Sequence, residues 1–325
     1  MAAAVLKSLF DKRERALAGA KFRAWWQGVD FDEEAALRAI EADLANPPGE
    51  DADDALFDPP PFDMPARLQA LVTIWGEGRL RPGDATAEVL EPARMGIASD
   101  GVLAFLGAGL AAPLVNVAGA HPGKIDVFEW REESIAALQH GIRVAKLEDR
   151  VTVARVDLDA HIWTPATYDG LLSIDDFAYA GHPPHLAHQL FKCLKPGACA
   201  VVESYVGLPS PMLATAFASS FAEPQIRPHG DVLQYFKDIG FALESDDDLT
   251  AEFLDLARQG FKRLAEALSG SAGVEPAIAR ELAWEAEAWR VRLKLLSQRR
   301  LERRRFVLRR PAEQNAEPPT PAPAA

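Results

Sequence analysis

Between about residue 100 and residue 245, short apolar runs alternate with amphipathic stretches, and no other feature of the chain restricts its architecture as much. Helical stretches set between apolar strands return the chain repeatedly to one sheet, so the alternation predicts a parallel sheet with helices on both faces. The strands read as GVLAFL, KIDVFE, VTVARV, YDGLLSI, CAVVESY and FALES. Between them lie helical patterns such as REESIAALQHGIRVAKL and PHLAHQLFKCLKPG, the second stopped by Pro196 and Gly197. Two longer patterns follow, Leu249 to Leu268 and Glu275 to Arg304, with Pro276 suited to a first helical turn. Ile278, Leu282, Ala286, Trp289, Leu293 and Leu296 recur at helical steps there, which predicts an inward-facing stripe. RRFVLRR reads as a last short strand, making the helical pair an excursion between strands.

The 325 residues, 48% hydrophobic, suffice for one large core with an appended subdomain. Leu9, Leu17, Phe22, Trp25, Trp26, Leu37, Ile40 and Leu44 give residues 7–44 helical spacing. NPPGEDADDALFDPPPFDMP then breaks every regular pattern, as a linker or a wrapped arm. The expected division is a helical arm and acidic, Pro-rich linker over 1–64, an α/β domain over 65–310 with a helical insertion about 249–304, and a disordered tail over 311–325.

The net charge of −13 argues against general nucleic-acid binding, which depends on neutralising phosphates with Lys and Arg. The arginines are nevertheless concentrated late in the chain, from Arg290 and Arg292 through Arg303, Arg304, Arg305, Arg309 and Arg310. That run reads as a solvated helix face or as a docking patch for an anionic partner. A protein partner or homo-oligomer through the C-terminal helices is the corresponding expectation. Cys193 and Cys199 form neither a disulfide framework nor a zinc spacing. The first residues lack a secretory h-region, and no run approaches the roughly 18 apolar residues of a membrane span. A cytoplasmic location is expected.

Ligands of open α/β sheets bind at the C-terminal ends of the strands. Gly107 and Gly109 follow the first strand, with Ala112 at the third small position, so VLAFLGAGLAAPL reads either as a structural turn or as a cofactor loop. Glu129 ends the second strand, where a carboxylate can accept both hydroxyls of a ribose, and Asp157 ends the third, at the adenine end of such a ligand; either acid could instead cap the next helix. Asp175, Asp176, His182 and His185 follow the fourth strand and are candidates to orient or deprotonate a substrate, or are residues that solvate a loop and start a helix. His182, His185 and His188 are spaced for a metal, but HPPHLAHQLFKCL offers no carboxylate at compatible spacing and His188 is placed on the core side; no metal site is expected.

Taken in order, VLAFLGAGLAAPL, IDVFEW, ARVDLD, YDGLLSIDDFAYA and LKPGACAVVESYVG resemble the class I S-adenosylmethionine-dependent methyltransferases over roughly residues 65 to 310. TIWGEGRLRPGD, AWWQGVD and EAEAWRVRLKLLSQRRLERRRFVLRR look like a bacterial branch of that family. Nicotinamide dehydrogenases share the first half of the pattern, whereas the LKPG turn and the final strand favour methyl transfer. The resemblance implies a Rossmann-like, seven-stranded sheet and S-adenosylmethionine as cofactor. It places Gly107, Ala108 and Gly109 at the methionine part, Glu129 at the ribose, and Asp157 with Leu158 at the adenine. Trp130 or Trp75 would cover an adenine or sulfonium face, unless each packs in the core. The implied reaction is methyl transfer to a small-molecule or lipid-like acceptor. One departure stands out: Phe105 occupies the place of the usual acid before the first glycine, with its ring expected to intrude on the pocket. The alternative that follows is a catalytically inactive protein of this fold, serving as a binding, scaffold or regulatory module.

Overall fold

A computed structural model describes residues 32–38, 62–208, 211–217, 224–269 and 274–312. The chain divides into two units, Met1–Asp58 and Pro59–Ala325. In the first, residues 33–38 are helical. The rest of the expected N-terminal arm, most of the linker and the tail beyond residue 312 lie outside the described residues.

In the second unit the strands are β1 (Val102–Leu106), β2 (Lys124–Glu129), β3 (Val151–Arg155), β4 (Tyr168–Ile174), β5 (Leu194–Gly207), β6 (Ala242–Asp248) and β7 (Leu301–Arg309). They form one sheet in the order β3-β2-β1-β4-β5-β7-β6. The first five are parallel, and β7 runs antiparallel between β5 and β6. The helices are α1 (Ala66–Trp75), α2 (Ala85–Met95), α3 (Ala111–Ala120), α4 (Glu132–Val144), α5 (Pro183–Cys193), α6 (Pro211–Ala216), α7 (His229–Ile239), α8 (Thr250–Ser269) and α9 (Pro276–Ser297). This is the expected Rossmann-like α/β sheet, with α8 and α9 as the excursion between β6 and β7. The chain leaves β1 in one direction to β2 and β3 and in the other to β4 and β5, so a crevice opens between β1 and β4 at their C-terminal ends.

Side chains two apart on a strand share a face. Leu103 and Phe105 of β1 therefore join the core that contains Leu114, Val117, Val127 and Leu172, while Ala104 and Leu106 face the opposite core with Phe128 and Val202. Phe105 is 0% exposed. Its ring does not intrude on a pocket, as the sequence suggested; it contributes about 1.5–3 kcal/mol of apolar burial beneath α3. Trp75 likewise belongs to a core, its ring 4.5 Å from that of Trp289 on α9.

The second correction concerns the arginine-rich end. Helical spacing is exhausted at Leu296, α9 stops at Ser297, and Arg299 turns the chain at φ 57° into β7. Strand alternation then carries Arg303 and Arg305 inward while Arg304 faces β6. Arg305 lies opposite Glu203 on β5, and Arg304 opposite Asp248 on β6. Arg305 reaches Glu203 at 2.6 Å and Arg304 reaches Asp246 at 2.7 Å. Cross-strand pairing of opposite charge thus makes Arg303, Arg304 and Arg305 part of the sheet, while Arg290 on α9 stays exposed beside Glu287, as on a solvated helix face.

Candidate functional site

β1 ends in a loop whose glycines have positive φ, 74° at Gly107 and 79° at Gly109. A Cβ on Gly107 would strike the Asp176 carboxylate and the Ile174 carbonyl; one on Gly109 would lie 3.2 Å from both Arg81 Nη1 and Leu80 Cδ1. Only glycine fits this turn. Ala108 is buried in the core beneath. Ala112 opens no ligand-facing helix end, because its N–H donates to the Gly78 carbonyl at 3.0 Å.

Glu129 stands at the end of β2, 0% exposed. Its Oε2 accepts the Gly109 N–H at 2.7 Å. Its Oε1 accepts the N–H groups of Trp130 (3.0 Å) and Arg131 (2.9 Å) and the Arg131 guanidinium (2.7 Å). That guanidinium in turn lies 4.1 Å over the Trp130 ring. The carboxylate braces the glycine loop, and an outside hydroxyl reaches it only when a neighbour such as Arg131 withdraws.

Beside this closed corner is an open cleft of about 540 Å³, lined by Trp130, Val156, Asp157, Leu158, Asp159 and Tyr179. Asp157 is exposed there, with Oδ1 accepting the Asp159 N–H at 2.9 Å. Leu158 is buried in the core below, and the Trp130 and Tyr179 rings lie 4.9 Å apart. Asp159 accepts the N–H groups of Gly181 (3.0 Å) and His182 (2.8 Å), tying the start of α5 to the cleft. His182 is exposed and His185 half-buried; His188 is exposed, not on the core side as expected. Among the described residues, no cluster of His, Cys, Asp or Glu is arranged to hold a metal ion.

The adjacent acids after β4 have opposite surroundings. Asp175, at φ 74°, pairs with Arg303 and lies 3.6 Å from Arg81. Burial works to raise its pKa, but Arg303 and Arg81 outweigh it and hold the group below the usual carboxylate range. Asp176 accepts from Trp130 Nε1 at 2.9 Å and from Ser173 Oγ at 2.7 Å. Burial pushes it up to about 7. Asp175 is therefore a fixed anion, and Asp176 a carboxyl that titrates near neutrality.

Sequence reasoning missed the cations that organise this corner. Arg81 donates to the Gly107 carbonyl at 3.0 Å, Arg131 locks Glu129, and Arg303 links Asp175 to Glu203 at 3.0 Å. Arg81 lies in the TIWGEGRLRPGD segment, yet nothing local distinguishes it from Arg79, which turns instead to Glu88 at 2.6 Å.

No family model matches the chain, and no curated protein sequence matches it. Its fold is shared with solved methyltransferase structures. Haemonchus contortus phosphoethanolamine N-methyltransferase 2, in complex with phosphomonomethylethanolamine and S-adenosylhomocysteine, aligns with TM-score 0.63 and 18% identity over 75% of this chain and 57% of its own. A putative sarcosine dimethylglycine methyltransferase from Galdieria sulphuraria aligns with TM-score 0.63 and 14% identity, over 75% of this chain and 98% of its own. The [4+2]-cyclase SpnF aligns with TM-score 0.61 and 16% identity, over 78% and 98%. At these identities the shared property is the class I methyltransferase fold.

Proposed function

We propose that the protein is an S-adenosylmethionine-dependent methyltransferase acting on a small-molecule or lipid-like acceptor. The observation that carries this reading is the open cleft of Trp130, Asp157, Leu158 and Tyr179, whose Trp130 is hydrogen-bonded to Asp176 against the glycine loop. Neighbours of the same fold, solved with S-adenosylmethionine or S-adenosylhomocysteine, support it. In this assignment Asp157 and Leu158 hold the adenine, Glu129 the ribose once Arg131 has moved aside, and Gly107, Ala108 and Gly109 the methionine part. Trp130 covers the nucleoside. The bound cofactor supplies an already activated methyl group, so the chain's work is to align the acceptor and exclude water. Asp175, held as an anion between two arginines, orients; Asp176, His182 and His185 are the groups able to take a proton. The domain division at 64, 310 and about 249–304 and a cytoplasmic location belong to the same proposal. No helix among the described residues is long and apolar enough to cross a membrane.

A second reading, an inactive binding module, is favoured by the closed Glu129–Arg131 pair and the apolar Phe105. Calorimetry of the full chain with S-adenosylhomocysteine and with NAD separates the cases. Methyl transfer predicts binding of the first, weakened about ten-fold or more in Glu129→Ala, since a hydrogen bond to a charged group contributes about 1.5–3 kcal/mol. Binding of NAD alone overturns the assignment, and silence with both ligands leaves the inactive reading.

A further inference from the structure

Above the C-terminal ends of β4 and β5, between α1 and α9, lies a second cavity of about 50 Å³ whose walls include Arg67, Arg81, Arg131, Arg292, Asp175 and Glu285. A water needs roughly 10–15 Å³ of such space, so the cavity suits a polar group of a few heavy atoms.

The charges of this wall are unequally satisfied. Arg131 has Glu129 at 2.7 Å, Arg67 has Glu285 at 3.6 Å, and Arg81 shares Asp175 with Arg303. Arg292 differs. It is 6% exposed, and among the described residues no carboxylate lies within 4.0 Å of it. Its Nε and Nη2 donate to one neutral oxygen, the Ala216 carbonyl, at 3.2 and 2.9 Å. Its plane rests 4.0 Å from the Phe217 ring centre and 4.3 Å from that of Trp289. Its partners are thus a neutral oxygen and aromatic faces, and an anion entering the cavity would supply the ionic partner it lacks among the described residues. Arg81 adds to the positive charge of the wall: burial lowers its pKa, and although Asp175 supports the charged form, Arg131 and Arg303 oppose it. Tyr179 lines both this cavity and the open cleft, so a molecule anchored here extends towards the proposed cofactor site.

We propose that this cavity binds the anionic group of the methyl acceptor, a carboxylate or a phosphate, with Arg292 as principal partner and Arg81 as the second. The proposal rests on the methyltransferase reading for the identity of the anion's owner, while the cavity is testable without it.

The test is calorimetric titration of the full chain, with and without saturating S-adenosylhomocysteine, using inorganic phosphate and acetate at constant ionic strength. Wild type is expected to bind at least one of the two anions. Arg292→Gln should weaken that binding at least ten-fold, Arg292→Lys should hold it within a few-fold, and all three proteins should bind S-adenosylhomocysteine alike. Equal anion affinity in wild type and Arg292→Gln, or no anion binding in wild type, overturns the proposal. So does a loss of S-adenosylhomocysteine affinity in Arg292→Gln with anion binding intact, which would give the cavity to the cofactor's own carboxylate. Anion binding that depends on Arg292 in a protein that binds no S-adenosylhomocysteine would support the anion site and refute the methyltransferase reading separately. If Arg292→Gln does not fold, Arg81→Gln, which removes the second proposed partner from the cavity wall, is expected to weaken the anion several-fold; an unchanged affinity there overturns the site.

Discussion

Asp176 ties the glycine loop to Trp130, and its protonation should be visible in stability. Its ordinary pKa of 3.8 applies to the unfolded chain, whereas burial raises it to about 7 in the folded protein. Between those values the folded state keeps a proton that the unfolded state releases, so this group's contribution is greatest below about pH 4 and is lost as pH rises towards 7. Three units at about 1.4 kcal/mol each set the swing at about 4 kcal/mol. Asp176→Asn removes the titration and preserves the contacts: the amide oxygen accepts from Trp130 Nε1, and the amide nitrogen donates to Ser173 Oγ. Urea unfolding of wild type and Asp176→Asn at several pH values from 4 to 8 cancels the titrations common to both. The variant should gain on wild type by about 4 kcal/mol between pH 4 and 7 and level off above. A difference that stays constant across that range would refute the reasoning, since it would mean that the buried carboxyl does not titrate there.

Other substitutions probe the same corner. Phe105→Asp, which would restore the acid usual in the resembling family, places a carboxylate in the apolar cluster of Leu103, Leu114 and Val127; it should cost about 4 kcal/mol or more, lower the melting temperature and bring no gain in S-adenosylhomocysteine affinity. Arg303→Ala leaves Asp175 with Arg81 alone, at 3.6 Å, and Glu203 with Arg305 alone, and denaturant unfolding should show a loss of about 1.5–3 kcal/mol. Gly107→Ala sets a Cβ against Asp176 and Ile174 at φ 74°, whereas Gly76→Ala at φ 98° meets nothing within 4 Å. Thermal melts should show the first losing clearly more than the roughly 1 kcal/mol expected of the second.

Much of the sheet was legible because β1, β2, β4 and β5 are apolar enough to be buried on both faces, and Glu129 and Asp157 could be placed from the strand ends. Phe105 was read wrongly although the signal was there: it shares a face with Leu103, and strand alternation turns it away from Ala104 and Leu106. The last strand was legible in RRFVLRR, but its earlier start and its ion pairs were not, for a physical reason. In EAEAWRVRLKLLSQRRLERRRFVLRR a helical stripe runs directly into a strand, and the acid that draws Arg303 and Arg305 inward, Glu203, lies about a hundred residues earlier. No window of sequence contains both partners. Asp175 and Asp176 show the same limit at the smallest scale. As neighbours they read as equivalent, yet a left-handed backbone at Asp175 sends one carboxylate to Arg303 and the other to Trp130. Arg131 is two residues from Glu129, but whether a long side chain folds back onto the acid beside it is decided by the packing around Trp130 and not by spacing.

The position of β7 has a consequence for the order in which the molecule is made. Among the described residues β6 pairs with β7 and with no other strand, and β7 separates it from β5. A growing chain can therefore align β1 to β5 while β6 waits without a partner until Leu301–Arg309 has been synthesised. Until then β5 presents a long unpaired edge, the kind of surface that recruits other chains. The same late strand carries Arg303, so the charge that fixes Asp175 arrives only with it. The corner proposed for catalysis is thus completed by the last of the seven described strands to be synthesised, and a nascent chain stalled short of it holds a nearly finished sheet around an unfinished site.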